Sequence, residues 1–430
     1  MVEEQRNYHD RYLLTLVLAS ISLFSFGILQ NVLADTVTVT IPVPGNPTGV
    51  SVNPNTNKIY IASSGASASV IDGATNSVST ISAGGQGVAV NPDTNRIYVT
   101  SIGDGKVWIV DGVTNTQVGT ISATGASAIK VNPVTNKIYV IACCTTTHKV
   151  YVIDGVTNVV TDTIPVDVGA ACLAIDSKKN VIYGADGNSI VVINGTDNSV
   201  SSIPVSSFGV GVNPDTNMIY AIQNNAVAVI NGTTRSIIST ISVPNAIGCP
   251  DINSITNKIY VTNYASNTVT VIDGATNSVV STIPVGSPDA IGINPNTEKI
   301  YVANQGSRSV TVIDGSSIPT APQNLVATAV SSSQINLSWN APSNNGGSAI
   351  SGYKIERSTD GGTTWSTVQS NTGSASTASS DTGLDKKTTY TYCIYAVNGV
   401  GTSPPSNIVS ATTLKNNHIQ HHKYIENNKE

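Results

Sequence analysis

The sequence predicts an all-β protein whose main body is a seven-bladed β-propeller, and three observations carry that prediction. Recurrent tyrosines stand at Tyr60, Tyr98, Tyr139, Tyr183, Tyr220, Tyr260 and Tyr301, at intervals of 38, 41, 44, 37, 40 and 41 residues. A period near 40 filled with short Val/Ile runs fits a four-stranded blade and not a helical solenoid. Each unit also repeats its turns: "TNKIYV" occurs at 135–140 and again at 256–261, with close variants in the other units. Finally, the seventh unit stops after Asp314-Gly315, while "TVTVTIPV" at 36–43 stands alone in front of the first unit. Supplying that strand to the last unit closes a ring by main-chain hydrogen bonds and leaves no open sheet edge between the first and last units.

Residues 1–34 differ from everything after them. Leu13 to Leu29 is a mainly apolar stretch of 17 residues, followed by Val32-Leu33-Ala34, the small or apolar residues that a signal peptidase cuts beside. The segment reads as an export signal. Its front end is unusual, since Glu3, Glu4 and Asp10 outweigh Arg6 and Arg11. An uncleaved membrane anchor is the alternative, although the stretch is shorter than the roughly 20 residues a spanning helix needs. Secretion to the cell exterior, with or without surface attachment, is the expectation, and contact with a membrane is expected only where this segment is retained.

Within residues 35–315 each unit parses in the same way. "AIGINP" is a strand ending at a Pro turn, "EKIYVAN" a second, "SVTVID" a third, and after "GATN" comes a fourth such as "SVVSTIPV". Near-continuous β-branched runs suit sheets buried on both faces. The recurrent Asn, Asp and Pro fit turns, because Asn and Asp bond local backbone and tolerate left-handed φ while Pro presets it. The "NPxTNKIYV" and "VIDGATNSVVSTIPVG" units resemble the YVTN-type seven-bladed propeller repeats of archaeal and bacterial surface proteins. That resemblance implies a fold and no particular chemistry.

A Pro/Ser-rich linker at 316–322 leads into a second module. Residues 323–414 resemble a fibronectin type III β-sandwich: Trp339 is the core tryptophan, Tyr353 lies on the next long strand, and Leu384 with Tyr390 forms a tyrosine corner. No Arg-Gly-Asp triplet is present. "STDGGTTW" at 358–365 matches the Asp-box pattern, which is a hairpin turn remote from chemistry, and Asp360 with Gly361-Gly362 is expected to form a β-turn over Trp365. The tail 415–430 lacks apolar periodicity and is expected to be a disordered polar segment. Its His418, His421 and His422 could take a transition metal, but a solvated tail is preferred.

Composition excludes one class of partner. Only 11% of residues are charged and the net charge is −5, so no basic stripe awaits a nucleic acid backbone. Catalysis needs positioned acids, bases or nucleophiles, yet the repeat region holds a single histidine, His148. No triad, zinc motif or phosphate loop can be assembled, and no cofactor is expected. Five cysteines are present. Cys172 and Cys249 occupy the same repeat position, and Cys143 and Cys144 end the second strand of the third unit, so a disulfide or thiol cluster among Cys143, Cys144, Cys172 and Cys249, with a bridge from Cys143 or Cys144 to Cys172 as one form of it, a metal site with His148, or plain apolar filling are the readings. Glycosylation acceptors "NGT" at Asn194 and Asn231 and "NLS" at Asn336 satisfy N-x-[ST].

Function is sought where the repeats differ. "NPxTN" and "IDGxTN" are nearly constant, whereas the other two connections of each unit vary: "SIGDGK", "ACCTTTHK", "NYASN" and "NQGSR", and "PVGSPDA" or "PVDVGAA". Variable loops on a repeated scaffold are free to serve recognition. Asp104, Lys106, His148, Lys149, Asp167, Tyr264, Asp289 and Arg308 are the candidate binding residues. The expectation is a non-catalytic binding protein of the cell exterior that contacts envelope glycans or surface proteins. The alternative is an enzyme of the lactonase or streptogramin-lyase kind acting on a small molecule in a central channel.

Overall fold

The computed structural model describes residues 35–143, 148–166 and 172–415. The N-terminal apolar stretch, Cys144, Asp167 and the histidine-bearing tail lie outside the described residues. Seven four-stranded antiparallel sheets, here sheets 1 to 7, are built from residues 36–314. Sheet 1 contains Asn46–Asn53, Lys58–Ser64, Ser67–Asp72 and Val78–Gly84 in that spatial order. The first strands of sheets 2 to 7 are Gly87–Asn91, Ala126–Asn132, Cys172–Asp176, Gly209–Asn213, Ile247–Asn253 and Pro288–Asn294. The fourth strand of sheet 7 comes from the far end of the array, because Thr36–Pro42 pairs antiparallel with Ser309–Asp314.

Strand alternation sets the packing. In sheet 3, Tyr139 and Ile141 point to one face and pack with Leu173 and Ile182 of sheet 4. Ile138, Val140 and Ala142 point to the other face and pack with Tyr98 and Val107 of sheet 2. A residue and its neighbour in a strand face opposite sides, so the motif "KIYV" supplies one core on each face. The same arrangement joins sheet 7 to sheet 1, where Tyr301, Ala303 and Val310 pack with Ile59, Ile61 and Ile71. The first strand of sheet 1 accordingly contacts the first strands of both sheet 2 and sheet 7.

The fold class expected from the sequence is corrected here. The described strands form nine separate antiparallel sheets of three or four strands, and none closes or curls on itself. In place of the expected seven-bladed β-propeller, the fold is described as all-β, a tandem array of antiparallel sheets packed face against face in the manner of β-sandwich layers, followed by a C-terminal β-sandwich. The physical reason is that a 40-residue period fixes the content of one repeat and leaves open how repeats are joined. Among the described residues hydrogen bonding stops at the outer strands of every sheet, so open edges persist that closure at the termini does not remove.

Side-chain amides tie sheet to sheet along one end of the array. The first Asn of each "NPxTN" turn accepts backbone N–H groups of its own turn and donates Nδ2 to the last Asn of the next. The links are Asn53 to Asn95 at 2.8 Å, Asn91 to Asn136 at 2.6 Å, Asn132 to Asn180 at 2.9 Å and Asn213 to Asn257 at 2.8 Å. Asn253 donates to the carboxylate of Glu298, which stands where the other sheets carry Asn. Each acceptor position is left-handed, with φ of 52° at Asn57 and 53° at Glu298, a conformation that Asn tolerates best among residues with a Cβ. The motif lysine also reaches forward: Lys58 Nζ donates to the Gly112 carbonyl at 3.0 Å and Lys137 Nζ to that of Gly195 at 3.1 Å.

At the C-terminus, a three-stranded sheet (Gln323–Ala329, Gln334–Asn340, Ala378–Thr382) faces a four-stranded one (Ser366–Gln369, Gly352–Ser358, Thr389–Val397, Val409–Thr412). Their shared core includes Leu325, Trp339, Tyr353 and Tyr392. The Trp339 and Tyr353 rings meet edge to face at 5.0 Å, and Asp385 N–H donates to the Tyr390 hydroxyl at 3.0 Å. The connecting segment is tied down: Ser317 N–H donates to the Gly346 carbonyl at 2.7 Å and Thr320 N–H to that of Asn344 at 2.9 Å. Gly347 lies so close to Glu298 that a Cβ there would sit 1.5 Å from its Cγ. The linker is therefore half-buried and bonded to the segment 344–346.

Candidate recognition face

The two ends of the sheets are chemically different. Every "NPxTN" and "IDGxTN" turn lies at one end of its strands, here the turn face. The variable connections lie at the other, the loop face: Lys58–Ser64 starts at the Asn53–Lys58 turn and finishes at the Ser64–Ser67 loop. A cleft of about 590 Å³ opens on the loop face between sheets 1 and 2. Its walls carry the hydroxyls of Ser64, Ser67, Ser82 and Ser101 and the amide of Gln86, with Gly84 and Gly85 between them. Gly85 is required by close approach, since a Cβ there would lie 1.8 Å from the Thr100 carbonyl oxygen. Among the described residues no charged side chain lines this cleft. Such walls can exchange hydrogen bonds with a neutral polar ligand without burying a charge.

Among the described residues, the sequence-derived binding candidates are distributed around this face without converging. Asp104 and Lys106 flank the same loop of sheet 2 that closes the cleft with Ser101, Ile102 and Gly103. The Asp104 carboxylate accepts from Ser101 Oγ at 2.8 Å, and Lys106 Nζ sits 5.7 Å from the Trp108 ring centre. Lys149 of sheet 3 lies over Tyr151 at 4.9 Å, and His148 beside it accepts Val166 N–H through its carbonyl at 3.1 Å. Tyr264, on the 3-10 turn Tyr264–Ser266 of sheet 6, is 40% exposed. Arg308 and Asp289 complete the described candidates. Arg308 is exposed but engaged, with Nε donating to Asn46 at 3.2 Å and its carbonyl accepting Val43 N–H at 3.0 Å. Asp289 lies on the first strand of sheet 7, where burial raises its carboxyl pKa.

The cysteine expectation is also corrected. Cys172 is disulfide-bonded to Cys249, with Cα atoms 5.7 Å apart, instead of bridging to Cys143 or Cys144. Equivalent positions in sheets 4 and 6 are brought together across the first strand of sheet 5, whose Val210 N–H lies 3.4 Å from Cys172 Sγ. Sequence alignment of the repeats shows the equivalence of the two cysteines but cannot show that alternate first strands converge. Among the described residues no group of three His, Cys, Asp or Glu side chains is gathered to hold a metal.

Sequence reasoning missed two features. One is the serine and glycine cleft, because neutral residues carry no chemical signature. The other is Asp251 on the first strand of sheet 6, where burial raises the carboxyl pKa against the opposing pull of Lys130 on the first strand of sheet 3. The phenols of Tyr60, Tyr139, Tyr220 and Tyr301 are pushed up to about 12 by burial, so they act as packing groups. In the Asp-box turn, Asp360 accepts from Ser358 Oγ, Thr364 Oγ1 and the Thr363 and Thr364 N–H groups. These bonds, those from Ser358 and Thr364 first, hold its pKa well below the usual carboxylate range.

The C-terminal sandwich matches the fibronectin type III domain family model over residues 320–412. Residues 320–412 form a fibronectin type III domain. No comparison shows the YVTN family for the repeats. Relatives of the fibronectin type III segment include a titin homolog of Caenorhabditis elegans, 32% identical over 96 residues or 22% of this chain. They also include exoglucanase B of Cellulomonas fimi, 34% identical over 100 residues or 23% of this chain, and poly(3-hydroxybutyrate) depolymerase of Ralstonia pickettii, 41% identical over 96 residues or 22%. The matched parts span 0%, 8% and 17% of those proteins. A solved chain of hydrazine synthase from Kuenenia stuttgartiensis is similar in fold over 64% of this chain and 97% of its own length, with a TM-score of 0.56 and 17% identity. No helix among the described residues is long and apolar enough to cross a membrane.

Proposed function

We propose that this chain is an interaction or structural protein of the cell exterior, with the loop face of the sheet array binding a neutral, hydroxyl-rich partner of the envelope. The observation that carries the reading is the uncharged cleft between sheets 1 and 2, whose serine hydroxyls, glutamine amide and glycine backbone suit a glycan better than an ionic ligand. The fibronectin type III domain supports it, because that module recurs as a minor part of proteins as unlike as a titin homolog and two bacterial enzymes. The tied linker would then hold the module at a fixed position for display.

The test is titration of the purified full chain against envelope fractions sorted into neutral polysaccharide, anionic polymer and protein. Saturable binding to the neutral polysaccharide fraction is expected, with little dependence on salt because no charged pair is involved. Binding confined to the protein fraction would move the partner to a surface protein, and binding to none would overturn the reading.

A further inference from the structure

Five of the seven sheets end their third strand with an aspartate directly opposite a cation: Lys58 with Asp72, Arg96 with Asp111, Lys137 with Asp154, Lys258 with Asp273, and Lys299 with Asp314, the first four of these opening the turn to the fourth strand. Sheets 4 and 5 depart from this pattern together. There Val181 faces Asn194 and Met218 faces Asn231. Loss of the cation accompanies loss of the acid, and a further change stands two residues on. That position is Ala74, Val113, Val156 or Ala275 in the four aspartate turns and Ser316 after Asp314, and threonine, Thr196 and Thr233, in both asparagine turns.

The geometry leaves the asparagine nitrogens available. Asn194 Oδ1 accepts Thr196 N–H at 2.9 Å, and Asn231 Oδ1 accepts the Thr233 and Thr234 N–H groups at 2.9 and 3.0 Å. The turn cap thus uses only the side-chain oxygen, and neither Nδ2 bonds to a described residue. Asn194 is exposed and Asn231 half-buried, and Thr196 and Thr233 are exposed beside them. The third sequon is unlike these: Asn336 lies within the strand Gln334–Asn340, paired on both sides, with Oδ1 accepting from Gln334 and Ser380.

We infer that Asn194 and Asn231 are N-glycosylation sites that place two adjacent glycans on the turn face of sheets 4 and 5. In the reaction the Nδ2 nitrogen forms a bond to the anomeric carbon of a glycan carried on a lipid pyrophosphate. The anomeric C–O bond breaks, the lipid pyrophosphate leaves with the electron pair, the amide proton passes to a base of the transferring enzyme, and no oxidation occurs. Modification there leaves the loop face uncovered. Glycans on surface turns are bulky and solubilising, which suits a chain with so few surface charges. The inference rests on the exterior location proposed above.

The test is peptide mapping by mass spectrometry of the full-length protein recovered from its native cells, with the cell exterior and interior collected separately. Glycan mass on the peptides carrying Asn194 and Asn231 is expected, and its complete loss in the Asn194→Asp, Asn231→Asp double variant. Aspartate keeps the side-chain oxygen that caps the turn, as Asp72 and Asp111 do for Ala74 and Val113 N–H, so the variant should fold and melt close to the wild type. Both peptides at their sequence mass in exterior protein would overturn the inference and leave the proposed location standing. Both unmodified in protein found only inside the cell would overturn the two together.

Discussion

The side-chain amide of Asn294 donates to Oδ1 of Asn57 at 2.8 Å, joining residues 237 positions apart in the chain. This is the same link that joins sheet 1 to sheet 2, and it carries the amide series from sheet 7 back to sheet 1. Asn294 is fully buried, and its oxygen also caps its own turn through Asn296 N–H at 3.0 Å. One residue therefore specifies a turn and a junction together.

The series has one gap, and it predicts a stabilising substitution. At the junction of sheets 4 and 5 the donor position is Asp176, so two acceptors, Asp176 Oδ2 and Asn217 Oδ1, are buried without a partner. An ion pair between Lys178 and Asp215 stands at the surface nearby. Asp176→Asn supplies the missing donor and should raise the unfolding free energy by about 1 kcal/mol. Asn132→Ala and Asn213→Ala should each lower it by about 1–3 kcal/mol by orphaning buried groups. Chemical denaturation of the three variants checks both signs.

How much of this was legible in the sequence follows from the same residues. The Asn and Pro of "NPxTN" announce a turn, and strand alternation in "KIYV" announces two cores. Spacing of the tyrosines gives the repeat count, and the lone strand at 36–43 gives its partner. The inter-sheet use of Asn53 or Lys58 was not legible, because it depends on how repeats face one another across tens of residues. The cleft was hidden for a related reason: serine and glycine appear as turn residues in sequence and become a surface only when two sheets meet.

A pH dependence follows from Glu298. Burial pushes its carboxyl up to about 7, against the opposing pull of the Asn253 amide and Lys258, with Asp35 and Asp314 adding to the rise. An acid whose folded pKa lies above its unfolded value binds more protons when folded, so stability should fall as pH rises from about 4.5 to about 7. Glu298→Gln should flatten that slope. Unfolding free energies at pH 5 and pH 8 for both proteins decide the matter, and an unchanged slope in the variant would remove Glu298 as its source.

The Cys172–Cys249 bridge closes a loop of 77 residues. On chain-entropy grounds its removal in a Cys172→Ser, Cys249→Ser variant should cost about 4 kcal/mol. Cys172 is 1% exposed, so reductant should leave the native protein oxidised and lower stability only once unfolding begins. Thermal melts with and without reductant, compared with the variant, test this.

Removal of residues 35–43 should cost more than about 3 kcal/mol, beyond the usual range for a point substitution. It would strip the pairing of Thr36–Pro42 with Ser309–Asp314 together with the Lys258–Asp35 ion pair and the Tyr260–Asp35 hydrogen bond of 2.9 Å. A melting temperature equal to that of the intact chain would show that the strand contributes nothing to sheet 7.

The cleft carries the proposal that recognition belongs to the loop face. Ser82 is exposed in the cleft wall, and Ala74 is exposed on the turn face at a position where sheets 2 and 3 carry valine. Equilibrium binding of the neutral polysaccharide fraction to Ser82→Trp and Ala74→Trp, each first shown to melt like the wild type, compares the two faces directly. Filling the cleft should weaken binding at least about tenfold, a loss of about 1.4 kcal/mol, while the turn-face variant binds as the wild type does. Normal binding by Ser82→Trp together with lost binding by Ala74→Trp would place recognition on the turn face instead.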